Sequence, residues 1–343
     1  MIQSIRKPTA FILISVIFLL SSCLSSKHLK KAKSIQTEVN EGAAINYGQR
    51  IKLSTYLVFP SGKKTEISGK RGLTHQVKGG KVKGGWVTIE KYPEDFSLDS
   101  VYIKTTFEKR NWSFTDSNAI AFNYKGDLTL DFNGASGKDG ESGNNRGTPL
   151  LLRNGKDGGD GEPGLDGENG HDLYVHIYKE NSSGFYYIRV TDLTTSKMYY
   201  YKNKDLGYAI RFNLNGGKGG DGGDGGDGGD GKDGKKTDSK IKEPGEGGIG
   251  GDGSNGGNGG NGGSLYVFIH PSAKEIKNSI SVSNMGGAAG KAGEAGKAGE
   301  AGTPLEGQNT KSDGVSGSPG QVGVAGQAGP PVQMVVEDFD IDF

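Results

Sequence analysis

The chain has 343 residues, of which 62 are glycine, and it carries 41 Lys and Arg against 40 Asp and Glu. A net charge of +1 leaves no excess of positive charge for a nucleic-acid surface, so the composition argues against a nucleic-acid partner. A single cysteine also excludes an intrachain disulfide framework.

Residues 1–22 are predicted to be a targeting segment. Arg6 and Lys7 precede an apolar stretch over 11–20 that is too short to cross a bilayer comfortably. The stretch ends in Leu20-Ser21-Ser22-Cys23, which resembles the lipobox of bacterial lipoproteins. This resemblance implies that Cys23 is lipidated and becomes the mature N terminus, with a net charge of −1 after removal of 1–22. An ordinary secretory signal is the alternative.

Residues 23–43 are small and polar and have no periodicity, so they are predicted to be a tether between lipid and fold. Four lysines of this segment either are solvated or touch anionic headgroups: Lys27, Lys30, Lys31 and Lys33. Leu24 stands where an enterobacterial inner-membrane retention signal has Asp. By that resemblance the protein is expected in the cell envelope, in the outer membrane, with the leaflet left open. The membrane is the partner that the lipid implies.

Residues 44–126 are predicted to form a β-sandwich domain. Short alternating apolar segments are separated by turns, and the first two form a hairpin around Pro60-Ser61-Gly62. Strand spacing of this kind is typical of an immunoglobulin-like sandwich, although no Cys…Trp…Cys signature is present. The predicted strands are 51–58, 64–67, 86–89, 101–107 and 119–124.

Residues 127–343 form a repeat domain in which glycine recurs at every third position. In chain order the six glycine runs are R1 134–143, R2 155–170, R3 216–234, R4 247–262, R5 287–302 and R6 314–329. They form three pairs, and each pair has a predicted strand before it and another after it. The return strands of the first two pairs are near copies, Leu-Tyr-Val-His-Ile at 173–177 and Leu-Tyr-Val-Phe-Ile at 265–269.

Four structures can produce a triplet glycine pattern. A collagen triple helix needs Gly at every third position but is helped by proline, which is scarce here, and a parallel trimer accommodates three chain reversals poorly. A flexible linker needs no strict register. A calcium-binding β-roll has a nine-residue period with one apolar residue per turn, which these runs lack.

The fourth structure is a bundle of polyglycine II helices within one chain, and it is the fold predicted here. Each run would be an extended helix of three residues per turn, and a run of about 16 residues would be about 50 Å long. The predicted fold class is therefore all-β, with a strand base carrying six such helices. Two glycines per triplet in R3 and R4 place the second pair in the middle. The triplet register over 134–330 resembles the polyglycine II sandwiches of a snow-flea antifreeze protein and of phage tail-tip adhesins.

No catalytic or metal-binding constellation competes with this pattern, so we expect neither an enzyme nor a cofactor nor a metal site. Asp221, Asp224 and Asp227 begin a column of aspartates about 9.3 Å apart. That spacing is too wide for two carboxylates to share a calcium ion. The column is interpreted as a solvated acidic edge.

The tip loops between paired runs, 144–154, 235–246 and 303–313, are the candidate contact surface, since loops on a rigid scaffold commonly carry recognition. The candidate binding residues are Asn145, Arg146, Leu151, Arg153, Lys236, Lys240, Lys242, Leu305, Gln308 and Asn309. A hydrophobic cap formed by Leu150–Leu152, Ile241 and Leu305 is the alternative. The predicted function is a monomeric, lipid-anchored structural or adhesion protein with a protein or glycan ligand. A collagen-like trimeric stalk and an ice-binding protein are the alternatives.

Overall fold

The computed structural model describes residues 26–39, 45–97, 99–148, 153–204, 209–237 and 240–340. The leader 1–22, Cys23 and Leu151 lie outside these residues. Strands make up 34% of the chain and helices 4%, so the all-β class predicted from the sequence is confirmed. The chain forms two compact units.

The first unit contains one short helix and two antiparallel sheets. One sheet has the order β1-β2-β6-β5 with β3 also paired to β2, and the other has the order β4-β7-β8. Its elements are α1 Ser26–Lys31, β1 Ser34–Val39, β2 Arg50–Val58, β3 Lys64–Glu66, β4 Leu73–Lys78, β5 Gly80–Lys83, β6 Trp86–Ile89, β7 Ser100–Lys109 and β8 Trp112–Ala121.

Two features of this unit correct the sequence analysis. Part of the predicted tether is folded, because α1 buries Leu29 completely and β1 pairs along β2 with Ile35 only 4% exposed. These side chains pack with Leu57 and Phe107 in one apolar cluster. Three segments assigned to the 44–126 domain, namely 44–49, 90–100 and 121–126, belong to the second unit.

The second unit is built on two sheets at the base of the glycine runs. One is all parallel, with the order β17-β13-β9, and the other is mixed, with the order β12-β11-β10-β16-β18. Its elements are β9 Leu128–Asp131, β10 Leu173–Lys179, β11 Tyr186–Asp192, β12 Lys197–Asn203, β13 Ile210–Asn213, β14 Lys235–Thr237, β15 Lys240–Lys242, β16 Leu265–Ile269, a 3₁₀ helix Pro271–Ser279, β17 Ile280–Ser283 and β18 Gln333–Val336.

The strands at the ends of the runs set the register of the whole unit. The two near-copy return strands pair in parallel, with Leu173 opposite Leu265 and Ile177 opposite Ile269. Strand β13 pairs in parallel between β9 and β17. The alternate apolar residues of β9, β10, β13 and β16 are buried in one core, and the partly buried Ile280 and Val282 of β17 pack against it. Full burial of a Val, Leu or Ile side chain stabilises a fold by about 1.5–3 kcal/mol.

The six glycine runs lie in two layers, R1-R3-R5 and R2-R4-R6. Within a layer, glycine N–H groups donate to the next run, as from Gly137 to Lys218 O at 2.8 Å and from Gly219 to Ala288 O at 2.9 Å. Between layers, R1 pairs with R2, R3 with R4 and R5 with R6, and the diagonal contacts R2-R3 and R4-R5 add further bonds. R3 and R4 therefore each contact four other runs.

The doubled glycines of R3 follow from this central position. In the triplet Gly222-Gly223-Asp224, a Cβ atom at Gly222 would lie 2.2 Å from Ser254 O in R4, and one at Gly223 would lie 2.1 Å from Glu141 O in R1. Both glycines of a triplet are thus in contact with neighbouring backbone. Only the third position has room for a side chain.

Candidate functional site

The tip loops of the first two pairs are joined by Arg153. Its Nε donates to Glu243 O at 2.8 Å, and its Nη2 donates to Lys232 O at 3.2 Å and also to Asp233 O. The backbone of Arg153 closes the same contact, because Arg153 O accepts the N–H of Lys232 at 2.9 Å. This predicted binding residue therefore holds two loops together.

The third tip loop is joined to the second by Gln308. Its Nε2 donates to Lys242 O at 2.8 Å, while its Oε1 accepts the N–H of Leu305 at 2.9 Å. Three of the predicted site residues, Leu305, Gln308 and Lys242, are thereby brought together. The side chain of Gln308 is engaged within the protein, so it is a positioning residue of the tip.

A cationic hairpin forms the middle of the tip. Strands β14 and β15 are exposed along their whole length, and Lys235 lies directly opposite Lys242. Like charges opposite each other in a hairpin are unfavourable for its folding. Lys236 and Lys240 add two more positive charges, so this hairpin presents four lysines around Ile241.

Of the remaining predicted residues, some form hydrogen bonds with the glycine runs and others are exposed on the surface. Asn145 Oδ1 accepts the N–H of Asp227 at 2.8 Å, and the N–H of Arg146 donates to Asp227 O at 2.8 Å. Asn309 is exposed. Ile241 is 63% and Leu305 40% exposed, so these two residues do not form the alternative hydrophobic cap.

The aspartate column of R3 is not simply a solvated edge, and this interpretation of the sequence is corrected. The Oδ1 atoms of Asp221, Asp224 and Asp227 accept the N–H groups of Lys291, Glu294 and Lys297 at 2.8–2.9 Å. The same bond joins Asp230 to Glu300 and Asp233 to Thr303. These N–H groups lie where no backbone carbonyl reaches them, so the side chains complete the backbone hydrogen bonding.

We call such a series of side chains, each accepting a backbone N–H of the next run, a ladder. Equivalent ladders of Asp and Asn side chains connect the other runs of each layer. R1 accepts from R3 with an offset of 82 residues, R2 accepts from R4 with an offset of 92, and R4 accepts from R6 with an offset of 66. Sequence reasoning missed these residues. Their signal was present as Asp or Asn recurring at one fixed triplet position in R1 to R4, interrupted by residues such as Ser142 and Pro163.

The ladder bonds also lower the pKa of two carboxyl groups. The pKa of Asp233 is lowered because its carboxylate accepts from Thr303. The pKa of Asp221 is lowered by the hydrogen bond from Lys218 and then by the N–H of Lys291. The ionised form is therefore the better partner for the neighbouring run.

Asp192 and His171 form a structural pair at the start of β10 and the end of β11. Asp192 is 1% exposed and accepts His171 Nδ1 at 2.8 Å together with the N–H groups of Thr194 and Thr195. Within the described ranges, no group of three or more His, Cys, Asp or Glu is arranged to hold a metal ion. Among the same residues, no helix is long and apolar enough to cross a membrane.

Comparison with known proteins gives no match to any family model, curated protein or solved structure.

Proposed function

We propose that this chain is a lipid-anchored, non-catalytic protein of the bacterial cell envelope that makes contact through its tip loops. In this proposal Cys23 carries the lipid in the outer membrane. The first unit is an immunoglobulin-like β-sandwich, since its apolar cluster contains Leu57 from one sheet and Phe107 from the other. The six glycine runs are polyglycine II helices that hold the tips away from the base.

The hydrogen bonds between runs support the polyglycine II assignment. Each run bonds to neighbouring runs, as from Gly250 N to Val315 O at 2.8 Å. This is what an extended helix without internal bonds requires. Because all six runs belong to one chain, the pattern favours a monomer over the collagen-like trimeric stalk.

The third pair of runs further supports a monomer. The ladder positions occupied by Asp or Asn in R3 and R4 are occupied in R5 and R6 by residues such as Lys291, Glu294 and Gln321. Without short acceptor side chains at these positions, R5 and R6 cannot give a further pair of runs the hydrogen bonds that R3 and R4 give to them. The array of runs therefore ends at R5 and R6.

The observation that carries the proposed function is the joining of the three tip loops by Arg153 and Gln308. A surface assembled from three distant loops and fixed to a rigid bundle is suited to recognition. The exposed lysines of β14 and β15 favour an anionic protein or glycan as the ligand.

Two measurements test this proposal. Small-angle scattering of residues 24–343 should give a monomeric mass with a body about 50 Å long along the runs, whereas a trimeric mass would contradict it. Cells carrying the protein should bind an acidic-glycan array, and Lys236→Gln with Lys240→Gln and Lys242→Gln should lose that binding. Equal binding by this variant would exclude the tip as the contact surface.

Ice binding is a second candidate, favoured by one observation. R6 carries no charged side chain at positions 314–329, and Val315, Val322 and Val324 are 67–71% exposed along it. Thermal hysteresis in a freezing assay would support this candidate, and its absence would leave the envelope function.

A further inference from the structure

A second basic surface lies in the first unit, at the end of the chain nearest the predicted lipid. The C-terminal end of α1 and the turn after β2 are placed side by side, because Lys33 N donates to Val58 O at 2.8 Å. The turn itself is closed by the N–H of Phe59 donating to Lys63 O at 3.0 Å. An open cavity of about 780 Å³ lies between them.

The lining of this cavity combines positive charge with apolar surface. It includes Lys30, Lys31, Lys33 and Lys63 together with Phe59 and Pro60, and no acidic residue. The four lysines are exposed. The nearby Lys64 does not line the cavity, and its Nζ forms a salt bridge with Glu38 Oε1 at 2.6 Å. A cavity lined by four lysines and an aromatic ring fits an anion that also has an apolar part.

Chain length places the cavity close to a bilayer. Lys30 follows Cys23 by seven residues, five of which, 26–30, are helical. A helix rises about 1.5 Å per residue and an extended chain at most about 3.6 Å. Lys30 is therefore within about 20 Å of the cysteine that carries the lipid. This step depends on the lipid anchor of the proposed function, whereas the chemistry of the cavity does not.

We propose that this cavity binds the phosphate headgroup of an anionic membrane lipid, with Phe59 and Pro60 against the upper part of its acyl chains. Lysines next to a bilayer are attracted to anionic headgroups. A free phosphate ion would use the lysines but not the aromatic ring, which favours a lipid as the ligand. The first unit then lies against the membrane.

The test uses the full acylated protein in vesicles of phosphatidylcholine, with and without 30% phosphatidylglycerol. Amide exchange over 59–63 should be at least tenfold slower in the anionic vesicles. Replacing Lys30, Lys31, Lys33 and Lys63 with Gln should remove this difference. The matched control replaces Lys78, Lys81, Lys83 and Lys104 with Gln, and should retain the difference. These four lysines of the first unit are also exposed and do not line the cavity, and their replacement changes the charge equally.

Other outcomes overturn the proposal. Equal exchange in both vesicles would exclude an anionic lipid, and equal protection by soluble glycerol phosphate would identify a free phosphate ligand instead. Loss of protection in the control variant would show that total charge, not this cavity, is responsible. Failure of the anchor is seen separately, because a chain without acyl groups on Cys23 would not float with pure phosphatidylcholine vesicles while still floating with anionic ones.

Discussion

Asp227 Oδ1 accepts the backbone N–H of Lys297 at 2.8 Å, although the two residues are 70 positions apart in the chain. The N–H of Asp227 in turn donates to Asn145 Oδ1 at 2.8 Å. One aspartate of R3 therefore connects R5 with the tip loop that follows R1, so that all three pairs are joined. A side chain performs here the task that a backbone carbonyl performs in a β-sheet.

Replacing Asp227 with alanine should expose the amide of Lys297 to exchange. The variant loses one acceptor, and a hydrogen bond of this kind contributes about 0.5–1.5 kcal/mol to stability. Asp227→Asn keeps an oxygen at the same position and serves as the control. Hydrogen exchange at Lys297 measures the effect, and equal protection in the two variants would contradict the role of the ladder.

Replacing Gly223 with alanine should destabilise the protein by about 3 kcal/mol or more, since overpacking of a filled interior costs about 1–3 kcal/mol and here the contact is with backbone. The new Cβ would lie 2.1 Å from Glu141 O. Gly147→Ala is the matched control, because no atom lies within 4 Å of its added Cβ. Urea unfolding of both variants tests this, and similar midpoints would refute the close packing of R3.

Replacing Ile177 with alanine should unfold the glycine runs together with the base. Ile177 is fully buried, and such a truncation costs about 2–5 kcal/mol. Ordering a residue costs about 1–2 kcal/mol and glycine loses the most freedom, so the runs need the base to remain ordered. Exchange of the run amides should accelerate as much as that of the base strands.

Val324→Ala is the control for this experiment, because Val324 is 71% exposed and its truncation leaves the core intact. If the Ile177 variant loosened only the base strands while the run amides kept their protection, the bundle would be stable by itself.

The ladder should weaken in acid. The pKa of Asp221 and of Asp233 is lowered in the folded protein. Their contribution to the free energy of unfolding is therefore present at pH values above the pKa of an unfolded aspartate, and it is lost as the pH falls through the pKa of the folded state. Stability measured by urea unfolding should decline below about pH 4. Asp221→Asn with Asp233→Asn should flatten this decline, and an unchanged slope would argue against it.

Alkali should weaken the second unit through Tyr47. Burial raises the pKa of Tyr47 to about 12. A raised pKa means that the folded state favours the neutral phenol. The contribution of Tyr47 to the free energy of unfolding is therefore complete below about pH 10 and is lost as the pH rises toward about 12. Tyr47→Phe removes the ionisation and should be less sensitive over this range. The difference in alkaline absorbance between the wild type and Tyr47→Phe reports the titration of Tyr47 alone among the 14 tyrosines. A midpoint of this difference near pH 10 would contradict burial of the phenol.

The all-β class and the strands beside the runs could be predicted from the sequence because alternation and triplet spacing are local patterns. The Leu173 and Leu265 segments were recognised as copies, and the structure pairs them residue by residue. The folded segment around Leu29 and Ile35 was missed, because its burial depends on partners in β2 and β7. The Asp and Asn ladders were missed for a similar reason. Their acceptor role requires the offset between distant runs, which periodicity within one run does not contain.

Side-by-side runs with fixed offsets restrict how the length of this protein can change. If the runs are polyglycine II helices, as proposed, inserting one residue into a run would turn every following side chain by a third of a turn. A bulky residue would then come to a position that holds only glycine. We therefore expect insertions to be tolerated only in whole triplets, and only when all six runs lengthen together. Each such step would lengthen the bundle by about 9.3 Å while leaving the base and the tip loops unchanged. The number of triplets in each run therefore sets the distance between the strand base and the tip loops, and this distance can change without any change in the base or the loops.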